Sequence, residues 1–182
     1  MVGVSVEVGA RVGAGDAAGA KRRAFVGVGA SAVFGAAAAA IILALRPLIA
    51  TLFTHDESVV DLTYRCVPAL ALLVFTDALN VVVQGTLSGA GIPKRVATAN
   101  LFGWYGVAAP VVLGLVLGLD LDESAAPVLL GCCALALATS WLVQFHAICA
   151  HDWTQSVDDA RRRLGEAPAP LAEPLLESEP EP

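Results

Sequence analysis

Charge is what this sequence has least of: only 15% of its 182 residues are Asp, Glu, Lys or Arg, against roughly 25% in a soluble domain. The apolar share is 57%, more than a soluble fold of this length can hide from water. Aromatic residues are scarce too, at 6%, and the apolar count is carried by Ala, Val and Leu with 17 Gly. That composition suits helices packed closely in lipid and argues against a β-barrel of alternating polarity. A basic stripe with interleaved aromatics is missing, which excludes nucleic acid as a partner. The four cysteines, Cys66, Cys132, Cys133 and Cys149, fall in or beside apolar runs without metal-ligand spacing, and read as small packing residues. The opening residues, with Glu7 and Arg11 among glycines, do not have the form of a secretory signal peptide.

What is present is an all-α membrane pattern. A hydrocarbon core about 30 Å thick needs roughly 20 helical residues, and four stretches meet that length: 24–50, 66–88, 96–119 and 126–150. Together they define a four-helix transmembrane region over residues 24–150. Residues 1–23 read as the end of a truncated helix followed by a Gly-rich cytoplasmic loop, so the chain is expected to be the later part of something longer. Residues 151–164 form a basic juxtamembrane segment, in which Asp152-Trp153 is expected to anchor at headgroup level. Residues 165–182 carry much of the net charge of −6 as glutamates spaced by prolines, and are expected to be a disordered acidic tail.

Basic and acidic breaks alternate along the chain. Lys21-Arg22-Arg23, Lys94-Arg95 and Arg161-Arg162-Arg163 flank the spans on one side, and Asp56-Glu57 and Asp120 to Glu123 on the other. Because Lys and Arg of short loops stay in the cytoplasm, this pattern predicts four crossings with both ends inside. Arg46 is the exception near an outer end, where it can snorkel, and the adjacent Pro47 kinks or ends its helix. Gly85xxxGly89 and Gly114xxxGly118 are candidate close-contact motifs.

Asp77, near the middle of the second span, most needs a reason, since a carboxylate there costs several kcal/mol by insertion scales. Asn80, Gln84 and Ser88 follow at helical spacing and share its face within roughly 60°. The stripe has two readings. In one, Asp77 exchanges a proton or binds a small cation, with Asn80 supplying a neutral oxygen and Gln84, Ser88, Asn100 and Tyr105 lining a cavity. In the other, the chain transports nothing and Asp77 is a polar seam through which the helices assemble with partner helices. An intramembrane enzyme is not expected: the spans hold a single Asp, and His146 lies far from it in depth. Nothing calls for a cofactor.

Five segments carry a resemblance to a known family: VEVGARVGAGDAAGAKRR (6–23), LFTHDESV (52–59), DALNVVVQGTLSGAGIPKR (77–95), NLFGWYGVAAP (100–110) and HDW (151–153). In that order and spacing they resemble the C-terminal part of a multidrug and toxic compound extrusion (MATE) transporter. The resemblance implies the end of helix eight and then helices nine to twelve of a twelve-helix fold, with small organic substrates exported in exchange for H+ or Na+. It places Asp77 and Asn80 at the C-lobe cation site, and implies that an N-terminal lobe and helix seven lie outside this chain. The loop around Glu7 and Ala10 departs from the family's usual Arg and Asn. The location implied is a multi-pass protein of a plasma or vacuolar-type membrane.

Overall fold

The structure is a computed structural model that describes residues 2–53, 56–118 and 125–165. Among the described residues there are helices and no strands. In chain order they are α1 (Val2–Gly13), α2 (Ala17–Ala44), α3 (Arg46–Phe53), α4 (Glu57–Gly89) and α5 (Pro93–Leu101). A π-helical segment, Phe102–Ala108, runs on into α6 (Ala109–Gly118), followed by α7 (Ala125–Cys149) and α8 (Trp153–Leu164). Four helical stretches are long and apolar enough to cross a membrane: Ala17–Ala44, Glu57–Gly89, Pro93–Leu115 and Ala125–Cys149. The third loop's Asp120 to Glu123 and the acidic tail lie outside the described residues.

Local chemistry sets the ends of these elements. Gly15, at φ +80°, makes the left-handed turn after α1. Asp16 then caps α2, accepting from the Gly19 amide at 2.7 Å and from Arg11 Nη1 at 2.7 Å. This cap lets α2 begin ahead of Lys21-Arg22-Arg23, so the basic cluster is helical. Pro47 has no N–H to give, and α2 ends at Ala44, capped by Leu45, shortly before it; α3 restarts with Arg46, whose guanidinium lies 4.6 Å over the Tyr64 ring. Asp56 caps α4, whose first turns overhang the apolar stretch and carry the pair Asp61–Arg65 at 2.7 Å. Pro110 interrupts the helical ladder just after the π-helical segment, where the Ala109 N–H reaches back to the Trp104 carbonyl.

α4 is the central element, in contact with α1, α2, α3, α5 and α7. α2 turns small side chains at helical spacing inward, Ala20, Ala24, Gly27, Ser31 and Gly35, all buried, with Gly27 against Val4 of α1 and Val82 of α4. A Cβ on Gly35 would come within 3.0 Å of that of Ala78. Small residues let the backbones approach closely, which is how helices gain packing in lipid, where apolar burial between helices offers little. Of the two candidate motifs, Gly89 lies against the Ser5 backbone of α1, where a Cβ would be 2.5 Å from the carbonyl oxygen. A Cβ on Gly114 or Gly118 would meet nothing within 4 Å among the described residues, so that pair makes no close contact here.

The densest apolar core sits at the basic end. Val8, Val12, Ala24, Val83, Leu87, Ile148, Trp153 and Val157 interlock there, bringing α1, α2, α4, α7 and α8 together. Trp153 is thus a buried packing residue, 5% exposed, with Asp152 capping α8 through the Thr154 amide. Along the spans, large apolar side chains such as Val33, Phe34, Leu101 and Leu142 face outward.

α8 is held to the α4–α5 turn by a relay. Ser156 Oγ donates to the Ala90 carbonyl at 2.9 Å, which leaves its oxygen to accept from His151 Nε2–H at 2.7 Å. Desolvation, then the nearby Arg95, push the His151 pKa down, against a smaller opposing pull from Asp152. A base with a lowered folded pKa contributes its full stability above its unfolded value of about 6.5 and loses it as pH falls, because the unfolded chain then binds the extra proton. Protease cleavage around α8 is therefore expected to accelerate between pH 7.5 and pH 5.5, and His151→Gln should flatten that dependence.

Candidate functional site

Polar side chains of three helices meet at one depth inside the spans. Asn80 lies about nine residues before the end of α4, Ser140 about nine before the end of α7, and Asn100 about seven into α5, each roughly 10–14 Å from the basic end. Asn80 Nδ2 donates to the Leu137 carbonyl of α7 at 2.9 Å, and its Oδ1 accepts from Gln84 Nε2 one turn on. From α7, Gln144 Nε2 lies 3.3 Å from Asn80 Oδ1, 3.2 Å from Asn100 Oδ1 and 2.8 Å from Ser140 Oγ. Ser140 Oγ also donates to Asn100 Oδ1 at 2.6 Å. Asn80, Ser140 and Gln144 are completely buried.

This cluster is rich in acceptors. An amide nitrogen has two hydrogens to give, and three oxygens surround that of Gln144. Gln144 Oε1 is buried and receives no hydrogen bond among the described residues. Neutral oxygens gathered in a low-dielectric interior can hold helices in register, and they can also face a hard cation.

The residues singled out from the sequence are divided by the fold. Asn80, Gln84 and Asn100 belong to the network. Asp77 is exposed on α4, and among the described residues no hydrogen bond or ion pair reaches it. Ser88 is exposed as well, and Tyr105 is 73% exposed on the π-helical segment. The cause is helical geometry: Asn80 follows Asp77 by three positions, so their side chains diverge by about 60°. Asn80 points into the α4–α7 contact while Asp77 is turned away from it. Ser140 and Gln144 were not singled out from sequence, although a polar pair at i, i+4 in an apolar span was there to be seen.

Gly103 lets the π-helical segment reach this cluster. A Cβ there would lie 2.7 Å from the Ala136 carbonyl oxygen and 3.1 Å from Ser140 Cβ. A backbone oxygen cannot swing aside, so Gly103→Ala is expected to cost about 1–3 kcal/mol, the range for overpacking. The control is Gly114→Ala, which has open space and should be neutral or stabilising by up to about 1 kcal/mol from helix propensity. Thermal unfolding of the two variants in one detergent compares them directly.

The described residues contain no group of His, Cys, Asp and Glu arranged to hold a metal ion. Comparison with known proteins defines the lineage. The MatE family model matches residues 1–113. Multidrug and toxin extrusion protein 2 of Mus musculus is 28% identical over 98% of this chain and 32% of its own length. Protein DETOXIFICATION 34 of Arabidopsis thaliana is 31% identical over 88% of this chain and 29% of its own length. The crystal structure of the eukaryotic MATE transporter AtDTX14 superposes with a TM-score of 0.80 at 22% identity, covering 88% of this chain and 35% of that one. The fold is therefore shared, and the chain spans about a third of the length of these proteins. With more than half of its residues matched by the family model, this chain belongs to the MatE family.

Proposed function

We propose that this chain is part of a cation-coupled exporter of small organic solutes, in which Asp77 meets the coupling ion. The observation that carries the reading is the setting of Asp77. It sits about twelve residues, or roughly 18 Å, from the basic end of α4, near mid-bilayer depth, and is exposed without a partner among the described residues. A carboxylate facing acyl chains at that depth costs about 2.5–3.5 kcal/mol by insertion scales, so its face has to meet water, an ion or further polar helices. The rest of a longer transporter, including an N-terminal lobe, would supply that surround. The names of the relatives, multidrug and toxin extrusion among them, support small organic solutes as the exported class.

In this reading the coupling ion is H+ or Na+, and the two roles of the polar residues differ. Asp77 carries the titratable or cation-binding charge. Asn80, clamped to α7, fixes the rotation of α4 and offers a neutral oxygen, with Gln84 and Asn100 behind it and Ser88 and Tyr105 toward the cavity. The gathering of basic residues at one end supports both termini facing the cytoplasm. The test is efflux from proteoliposomes holding the protein, under an imposed pH or sodium gradient. Flux that follows one gradient supports the reading and identifies the ion. No gradient-driven flux in any assembly removes it and leaves the polar-seam reading, in which Asp77 pairs with another chain.

A further inference from the structure

A second feature lies at the basic end, away from Asp77. A groove of about 680 Å³ runs between the start of α5 and the end of α7. Lys94 and Arg95 stand at its mouth, and Ala99, Phe102, Val143 and Ala147 form its walls, with His146 at the rim. No acidic side chain lines it, and among the described residues neither Lys94 nor Arg95 has an ion pair, unlike Arg11 and Arg23, which pair with Asp16 and Glu7. Ile92 gives α5 no side-chain cap, and Pro93 opens the helix, so the positive end of the α5 dipole lies next to Lys94 in the chain. From Lys94 to Phe102 the wall descends about 12 Å, close to the depth of one leaflet, about 15 Å.

We propose that this groove seats one phospholipid of the leaflet that bears the basic end, with an anionic headgroup phosphate on Lys94 and Arg95 and an acyl chain against Phe102 and Val143. Charge complementarity at the mouth and apolar walls below it match that amphiphile end for end. A second protein surface would have to bring acids to the mouth, whereas a lipid brings its phosphate at the right depth. The inference rests on α5 and α7 crossing the membrane and is independent of the chemistry of Asp77.

The experiment uses the full chain in nanodiscs of phosphatidylcholine with a minor share of phosphatidylglycerol, followed by native mass spectrometry of the lipid retained after extraction. One retained phosphatidylglycerol is expected. Lys94→Gln/Arg95→Gln should weaken retention about fivefold per charge removed. Arg46→Gln/Arg65→Gln, at the opposite end, should leave it unchanged. Thr98→Trp keeps both charges and fills the groove, and should also release the lipid. These positions are exposed, apart from Arg46, so unchanged circular dichroism is expected for the Lys94/Arg95 and Thr98 variants. Wild-type retention by Thr98→Trp would overturn the proposal, because charge alone would then hold the lipid. So would equal retention by wild type and Lys94→Gln/Arg95→Gln, displacement of the lipid by inorganic phosphate alone, or a lipid-free dimer that buries the groove.

Discussion

Asp77→Asn is expected to bring gradient-driven efflux down to the level of protein-free liposomes while leaving the fold intact. Asparagine matches the shape of aspartate without its negative charge, so on the proposed reading it could not hold the coupling ion. Stability should not suffer, since Asp77 is exposed and makes no hydrogen bond or ion pair among the described residues. On the proposed reading, removing an exposed charge from the middle of the span favours the inserted protein. Flux and thermal unfolding are therefore measured on the same preparation. Unaltered flux through Asp77→Asn would show that this carboxylate is not the coupling group.

The opposite pattern is expected for Asn80→Leu. Asn80 is completely buried and joins α4 to α7 through the Leu137 carbonyl and Gln144, besides its contact with Gln84. Interhelical hydrogen bonds in membranes contribute about 0.6–2 kcal/mol each. The half-buried Gln84 amide, which gives to Asn80 Oδ1, loses that acceptor and adds a desolvation cost of about 1 kcal/mol, whereas Gln144 keeps Asn100 Oδ1 and Ser140 Oγ. The sum is a loss of about 2–4 kcal/mol, readable as an earlier unfolding transition in SDS or on heating. The Asn80→Leu/Gln84→Leu double variant should recover part of it, because the amide that lost its acceptor is then gone and the two effects are not additive. A destabilisation below about 0.5 kcal/mol would mean that the network is too loosely made to fix the rotation of α4.

These two residues also mark how far the sequence can be read. Asp77 and Asn80 stand out for the same reason, as polar groups in an apolar span, and helical spacing puts them on one broad face. The fold separates them because an interface between two helices is narrower than that face. Ser140 and Gln144 were equally visible as polar letters in the last span, yet their importance depends on α7 crossing α4 and α5 at the depth of Asn80 and Asn100. Close-contact glycines behave alike: Gly89 meets the α1 backbone and Gly114 meets nothing within 4 Å among the described residues, though both sit in the same kind of motif.

The sequence by itself determined which stretches are helical and apolar enough to span a bilayer, which end gathers the basic residues, and which family the chain resembles. Those properties are local or additive, since each segment's hydropathy is judged against lipid one helix at a time and each helix satisfies its own backbone. Only the tertiary structure decided that Asn80, Asn100, Ser140 and Gln144 form one buried cluster, that Asp77 stands outside it, and that Trp153 packs inside the inner core. Such pairings follow from the rotation and crossing of helices, and these are set by small-residue contacts between segments far apart in the chain, such as Gly35 with Ala78 and Gly103 with Ala136.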